Sequence, residues 1–238
     1  MLELVHVSYD VDENDSNREI LKDISLKVDA RRFVAVTGPN GGGKSTLAKL
    51  IAGIYTPTEG QIIFNGRDIT HMSITDRARS GIGYAFQTPV RFKGIKVRDL
   101  LSIAAGRDAG MSECCEYLSS VGLCAKDYIN REVDGSLSGG EIKRIEIATL
   151  LARRSELSVL DEPEAGIDLW SFSNLIEIFE KIREERDRGV MIISHQERIL
   201  NIADEIIVLK DGRIVADDTK DSILPELLKG SEGCRFYK

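Results

Sequence analysis

The stretch GPNGGGKST at residues 38–46 combines four glycines with a lysine and two hydroxyl side chains. Gly38, Gly43, Lys44 and Ser45 match the pattern G-x-x-x-x-G-K-[ST], in which the missing side chains let backbone N–H groups point inward around a phosphate. The Lys44 ammonium would neutralise the β- and γ-phosphates, and the Ser45 hydroxyl would ligate Mg²⁺, a hard ion that prefers oxygen. The predicted phosphate-binding residues are Gly38, Pro39, Asn40, Gly41, Gly42, Gly43, Lys44, Ser45 and Thr46.

A pair of carboxylates forms a second candidate site. In LSVLDEP, Asp161 and Glu162 follow a short apolar run that predicts a buried strand. Ligands of an open α/β sheet bind outside the carboxyl ends of its strands, so both side chains are predicted to lie beside the phosphate loop. Asp161 would hold Mg²⁺ through water, and Glu162 would polarise the water that attacks the γ-phosphate.

The stretch SLSGGEIKR at residues 136–144 adds a third motif. Ser138, Gly139 and Gly140 would open a helix, where free backbone N–H groups can bind an anion. LSGGE resembles the signature of the ABC-type ATPases, and the resemblance covers nearly the whole chain. In that family the signature caps the nucleotide bound to the opposite subunit of a head-to-tail dimer. The resemblance therefore implies an ATP-dependent homodimer that hydrolyses MgATP.

The same resemblance assigns four further positions. Gln87 in YAFQTP matches the glutamine that links the metal and the water to a helical lobe. Asp168 in EAGID matches the aspartate loop after the carboxylates, and His195 in IISHQ matches the switch histidine that contacts the γ-phosphate. Tyr9 matches the aromatic residue that stacks on adenine.

The strand patterns predict the elements that hold these residues. LELVHVSY and ISLKV alternate apolar and polar residues, as half-buried strands do, and the acidic stretch DVDENDSNRE between them predicts a loop. FVAVT at 33–37 predicts a buried strand that leads into the glycine stretch, with a helix after it. GQIIFNGRDI and IIVLKDGRIVADD predict hairpins that turn at Asn65-Gly66 and Asp211-Gly212.

Helical spacing dominates from about residue 95 to 153, before strands return in LSVL, VMIIS and EIIVL. Strands that alternate with helices predict a parallel α/β core. With the family resemblance, the predicted fold is an α/β P-loop NTPase of ABC type, with a RecA-like mixed sheet core, an antiparallel β subdomain and an inserted helical lobe. The predicted single domain, 1–238, divides into an α/β core (1–87 and 155–238) and a helical signature lobe (88–154).

Composition limits the classes of partner and location. The net charge of −7 over 238 residues does not favour a nucleic-acid partner. No apolar run approaches the roughly 20 residues needed to span a bilayer, and the first residues do not match a signal peptide. Cys114, Cys115, Cys124 and Cys234 form no C-x-x-C pair, so we expect reduced thiols in a cytoplasmic protein.

Two interpretations of the ATPase remain open. Four stretches resemble the SufC-type ATPases of iron–sulfur cluster assembly: the residues around Gln87, SGGEIKRIEI, LDEPEAGIDL and ISHQERIL. This resemblance implies a soluble SufB/SufD-like partner. AGIYTPTEGQI at 52–62 and GIGYAFQTPVRF resemble importers, which implies a separate transmembrane permease subunit and a place at the inner membrane. The SufC-like function is the main interpretation, and the importer subunit is the alternative.

Overall fold

A computed structural model describes residues 1–13, 16–29 and 31–229. Its strands are β1 (Leu2–Glu13), β2 (Ser16–Val28), β3 (Phe33–Thr37), β4 (Glu59–Phe64), β5 (Arg67–Asp68), β6 (Ile82–Ala85), β7 (Phe92–Lys96), β8 (Glu132–Val133), β9 (Leu157–Asp161), β10 (Gly189–Ile193), β11 (Glu205–Lys210) and β12 (Arg213–Thr219). Its helices are α1 (Lys44–Ala52), α2 (Ile74–Arg79), α3 (Val97–Ala105), α4 (Met111–Ser120), α5 (Ala125–Tyr128), α6 (Gly139–Arg153), α7 (Leu169–Glu185), α8 (Glu197–Ile202) and α9 (Lys220–Leu227). None of these helices is long and apolar enough to cross a bilayer.

The central sheet has the strand order β12-β11-β3-β10-β9-β6 and is parallel except for the pairing of β11 with β12. Both of its faces are covered, because successive side chains of a strand point to opposite faces. In β3, Phe33 and Ala35 belong to one apolar core, while Val34 and Val36 belong to another. This two-sided burial explains why β3, β9 and β10 read as continuous apolar runs.

A second sheet, of order β2-β1-β4-β5, is antiparallel. The loop predicted for residues 10–19 is wrong, because β1 continues to Glu13 and β2 begins at Ser16. Asp10 pairs with Glu19 and Val11 with Arg18 across this long hairpin. Apart from Val11, residues 10–13 and 16–19 are polar, so this part of the hairpin lacks the alternation of apolar and polar residues that indicates a strand. Cross-strand pairing overrides the weak strand propensity of its acidic residues.

The two predicted hairpin turns are present. Asn65 and Gly66 have φ angles of 51° and 77°, and Asp211 and Gly212 have φ angles of 50° and 78°. Two successive residues with positive φ match the twist of the flanking strands, which is why Asn-Gly and Asp-Gly are strong turn signals.

The segment between β6 and β9 is mainly helical, with α6 packed against α3 and α4. The sequence patterns did not indicate the two-stranded sheet of β7 and β8 or the short helix α2. Both are too short to show a period, since α2 has six residues and β8 has two. The lobe boundaries at residues 88 and 154 remain a prediction.

Candidate active site

The glycine stretch follows β3 and leads into α1. Gly38 has a φ of 131°, and a Cβ at this position would lie 2.0 Å from the carbonyl oxygen of Leu209 on β11. Gly43 has a φ of 98° and immediately precedes α1, and a Cβ there would lie 2.6 Å from a methyl carbon of Leu21. At Gly38 and Gly43 the loop therefore passes too close to its neighbours for a side chain, and its backbone can line an anion site at the helix N-terminus.

Lys44 is buried and crosses the loop that precedes it. Its ammonium donates hydrogen bonds to the carbonyl oxygens of Gly38, at 2.8 Å, and Pro39, at 2.9 Å. Burial lowers the pKa of Lys44, and the charges of Glu162 and Asp161 oppose that change. The cation is thus already held in the loop where a triphosphate would bind.

Ser45 and Asp161 meet between α1 and the end of β9. The Ser45 hydroxyl donates to Asp161 Oδ1 over 3.0 Å, and the Tyr84 hydroxyl lies 3.4 Å from Asp161 Oδ2. Asp161 is buried, and burial raises its pKa. A hydroxyl and a carboxylate oxygen are donors that fit Mg²⁺. In the described ranges, there is no cluster of three or more His, Cys, Asp or Glu side chains that could hold a metal ion.

Glu162 comes directly after β9 in a left-handed backbone conformation, with a φ of 46°. Its N–H donates to the carbonyl oxygen of Ile193 at the end of β10, 3.1 Å away. Its side chain accepts a hydrogen bond of 2.7 Å from the amide of Gln87. A non-glycine residue with positive φ is uncommon and costs energy, so the neighbouring strand end holds this carboxylate in place.

His195 follows β10 and is partly exposed. Burial lowers its pKa, Lys44 lowers it further, and Glu162 opposes both. The neutral imidazole is therefore favoured beside the loop.

Some of these residues line a cavity of about 470 Å³, whereas Asp161 and His195 are not among its lining residues. The predicted residues Gly41, Gly43, Lys44, Ser45, Gln87 and Glu162 are among those that line it. Arg18 and Ile20 of β2 line its outer side. The sequence patterns did not indicate these two, because the hairpin that carries them was interpreted as a loop.

Tyr9 packs against a second aromatic ring. Its ring is half-buried and stacks on Tyr55, with centroids 5.1 Å apart and an interplanar angle of 9°. Tyr9 is not among the residues that line the cavity. The alternation in β1 turns this ring toward the core between the sheets, where it packs as an aromatic pair. The structure shows this packing contact, and the adenine-stacking role of Tyr9 remains a prediction.

The signature residues lie apart from this cavity. Ser138 caps α6 and forms a reciprocal capping box with Glu141. Ser138 and Gly139 are exposed, and a Cβ on Gly139 would meet nothing within 4 Å. Asp168 is also exposed and accepts hydrogen bonds from the backbone and hydroxyl of Ser171, which holds the start of α7. The four predicted residues Ser138, Gly139, Gly140 and Asp168 do not line the cavity of their own subunit.

Two buried charges connect α6 to the segment that carries Gln87. The Lys143 ammonium donates to the carbonyl oxygen of Phe86 and forms an ion pair of 3.2 Å with Glu146. Glu146 accepts a hydrogen bond of 3.0 Å from the Phe86 N–H. Sequence reasoning did not single out this pair. Its signal was present, because Lys143 and Glu146 stand one turn apart among the apolar residues of α6.

An apolar groove flanks the same segment. A cavity of about 150 Å³ is lined by residues that include Phe86, Val90 and Phe92, and a neighbouring cavity of about 350 Å³ by residues that include Leu100 and Ile103. Phe86, Val90 and Ile103 are exposed. This part of the chain also carries four exposed basic residues, Arg91, Lys93, Lys96 and Arg98.

The cysteines form no disulfide among the described residues. Cys114 is buried, Cys115 is half-buried and Cys124 is exposed. Burial raises the pKa of the Cys114 thiol, which disfavours the reactive thiolate. Cys234 lies outside the described residues.

The comparisons with known proteins agree with this geometry. A family model described as "ABC transporter" matches residues 21–165. The chain is 40% identical over 207 residues to the uncharacterised ABC transporter ATP-binding protein MJ0035 of Methanocaldococcus jannaschii, which covers 84% of this chain and 82% of that protein. It is 36% identical over 210 residues to the sulfate/thiosulfate import ATP-binding protein CysA of Synechocystis, which covers 85% of this chain and 57% of CysA.

The fold matches a dimeric structure of the ATP-binding cassette MJ0796 in a post-hydrolysis state with ADP and Pi. The TM-score is 0.83 over 92% of this chain and 99% of that one, at 24% identity. This match confirms the predicted fold class.

Proposed function

This chain belongs to the ABC transporter family and is an ABC-type ATPase, and on that premise we propose that it is the ATP-binding subunit of an importer. One observation carries the proposal. One cavity at the carboxyl ends of the central strands brings together Lys44 and two side-chain contacts. These are the contact of Ser45 with Asp161 and that of Gln87 with Glu162. The likeness to CysA, whose name describes an import protein, supports the importer assignment.

ATP would bind with its phosphates against the glycine loop. The Lys44 ammonium would exchange the carbonyls of Gly38 and Pro39 for β- and γ-phosphate oxygens. Ser45 and Asp161 would hold Mg²⁺, which supplies neutralising charge to those oxygens. Glu162 would accept a proton from the attacking water, Gln87 would orient that carboxylate, and His195 would contact the γ-phosphate.

The complete site requires a second copy of the chain. Ser138, Gly139, Gly140 and Asp168 do not line their own subunit's cavity, yet the N-terminus of α6 offers exposed N–H groups that suit a phosphate. A head-to-tail dimer would bring each signature to the partner's triphosphate. ATP binding and dimer closure are then thermodynamically coupled.

The apolar groove beside Gln87 would receive a segment of a transmembrane permease, and the chain would then be peripheral to the inner membrane. The exposed Phe86 and Val90 offer apolar contact, and Arg91 and Lys93 add positive charge. The partner segment should present an apolar anchor flanked by acidic or polar groups. Because Phe86 contacts Lys143 and Glu146, a permease segment bound in the groove could displace both the Gln87 segment and α6.

A SufC-like function in iron–sulfur cluster assembly is the second candidate. The Glu-x-Lys-Arg run at 141–144, one of the stretches that resemble SufC-type ATPases, supplies the buried Lys143 that contacts the groove segment. A soluble SufB/SufD-like protein would then occupy the same groove.

Affinity capture from native cells separates the two candidates. The importer proposal predicts that tagged protein retains a multi-span membrane protein after detergent extraction. Arg91→Glu combined with Lys93→Glu should weaken that capture while ATP binding is kept. Lys27→Glu with Lys126→Glu makes the same charge change at exposed positions outside the groove and is the control. Retention of a soluble partner without detergent, and of no membrane protein, would favour the SufC-like function.

A further inference from the structure

Ser194 lies between β10 and His195 and is completely buried. Its N–H donates to the carbonyl oxygen of Val36 on β3, 3.1 Å away. Its hydroxyl oxygen accepts a hydrogen bond of 3.0 Å from the N–H of Gln196. The Ser194 side chain thus closes a turn of backbone that contains His195.

The hydroxyl proton of Ser194 has a defined acceptor. The Ser194 hydroxyl donates to Oε1 of Glu164, in the segment between β9 and α7. Burial raises the pKa of Glu164, and the hydrogen bond from Ser194 opposes that rise. Glu164 has therefore lost water on folding, and Ser194 replaces part of that solvation.

Glu164 is held by the backbone around it. The carbonyl oxygen of Glu162 accepts from the N–H of Ala165 at 3.0 Å, and the carbonyl oxygen of Glu164 accepts from the N–H of Ile167 at 3.1 Å. These turns connect Glu162 to the segment that ends at Asp168. A carboxylate on such a turn can fix a neighbouring side chain more precisely than one on a free loop.

We propose that Glu164 is a positioning residue for His195, acting through the Ser194 hydroxyl. The carboxylate holds Ser194 in the rotamer that closes the turn, and the closed turn presents the imidazole to the γ-phosphate. This inference rests on the role proposed above for His195. It also joins the segment that carries Glu162 and Asp168 to the segment that carries His195.

Alanine and glutamine at position 164 give different expectations. Glu164→Ala removes the acceptor, so kcat for ATP should fall by about tenfold while KM changes little, since a misplaced group costs rate before it costs binding. Glu164→Gln retains an amide oxygen that can accept from Ser194, so it should restore most of kcat. Thermal melting of each variant verifies that it is folded.

Two further measurements connect the effect to Ser194 and His195. In Ser194→Ala the acceptor has lost its donor, so adding Glu164→Ala should not lower kcat further. The protein has three histidines, so the His195 imidazole resonance can be assigned by its loss in His195→Ala. Glu164→Ala should shift this resonance and leave those of His6 and His71 in place.

Several results would overturn the inference: additive losses in the double variant, a glutamine variant as slow as the alanine variant, or a loss of kcat without a change at His195. A different result would show that the proposed function itself is wrong. If His195→Ala keeps the wild-type kcat, the role of His195 is wrong. If His195→Ala is inactive while Glu164→Ala keeps the wild-type kcat, only the inference about Glu164 fails.

Discussion

The side-chain amide of Gln87 donates a 2.7 Å hydrogen bond to Oε2 of Glu162, joining the segment after β6 to the segment after β9. The carbonyl oxygen of Gln87 also accepts a hydrogen bond of 3.4 Å from Lys143 on α6. Gln87 therefore contacts both the carboxylate proposed to activate water and the helix that begins at the signature. A displacement of α6 relative to the central sheet would therefore be transmitted to Glu162 through Gln87.

The first prediction concerns the charge on Glu162. Glu162→Gln keeps the shape of the side chain but removes the negative charge that accepts a proton from water. Hydrolysis should fall by about 10²- to 10⁴-fold, the usual contribution of a general base. ATP should still bind, so the ATP-bound dimer should accumulate in gel filtration with MgATP.

Glu197→Gln is the matched control, because Glu197 is exposed at the start of α8 and has no assigned role. It should hydrolyse ATP at the wild-type rate. Full activity in Glu162→Gln would remove Glu162 from the mechanism.

The sequence predicted the site best where its residues are neighbours in the chain. The pattern around Lys44 and Ser45 and the start of a helix at Ser138–Gly140 are local, so they could be inferred from spacing alone. The position of Asp161 followed from the end of a buried strand. The stacking of Tyr9 on Tyr55 was not predicted, because it joins two distant segments. The link from Glu164 to Ser194 was missed because it too forms only when the chain is folded.

The second prediction concerns Arg77, a fully buried arginine of α2. Its guanidinium donates to the carbonyl oxygens of Leu50 and Ile51 at the end of α1, and to those of Thr70 and Met72. Arg77→Met would remove the donor from the oxygens of Ile51, Thr70 and Met72, while the Leu50 oxygen would keep its bond from the N–H of Gly53. The free energy of unfolding should fall by about 3 kcal/mol, since hydrogen bonds from charged donors are the stronger class. Urea denaturation measures the change.

Arg79→Met provides the comparison on the same helix, because the Arg79 side chain is 78% exposed. Its effect should stay within about 0.5 kcal/mol. Equal losses in the two variants would show that α2, not the buried guanidinium, sets the stability.

The third prediction uses the pH dependence of a carboxyl pair. Burial and the neighbouring Asp217 raise the pKa of Glu205 from 4.5 to about 7. The folded state therefore keeps the Glu205 proton at a pH where the unfolded chain has lost it. This contribution to stability is complete below pH 4.5 and is lost as the pH rises through about 7.

Asp217→Asn removes the like charge, so it should raise the urea midpoint at about pH 8 and have little effect at about pH 5. Asp218→Asn changes the same charge at the next position and should show no such dependence on pH. A stabilisation by Asp217→Asn that is equal at both values would exclude repulsion between Glu205 and Asp217 as its cause.

The last prediction tests whether one site is built from two chains. Ser138→Arg places a bulky cation in the signature but leaves its own glycine loop intact, so each monomer should bind ATP and fail to close into an active dimer. Lys44→Ala has an intact signature but should fail to bind the phosphates. Each variant alone should be inactive.

In a mixed dimer the Lys44 of the Ser138→Arg chain faces the normal Ser138 of the Lys44→Ala chain, so one site is complete. The other site carries both defects. Random pairing of equal amounts would give about one quarter of the wild-type number of complete sites, so phosphate release should reappear on mixing. If each loop instead served its own chain's nucleotide, every site would carry one defect in any mixture. Activity would then stay absent, and Ser138→Arg would impair ATP binding by the isolated monomer.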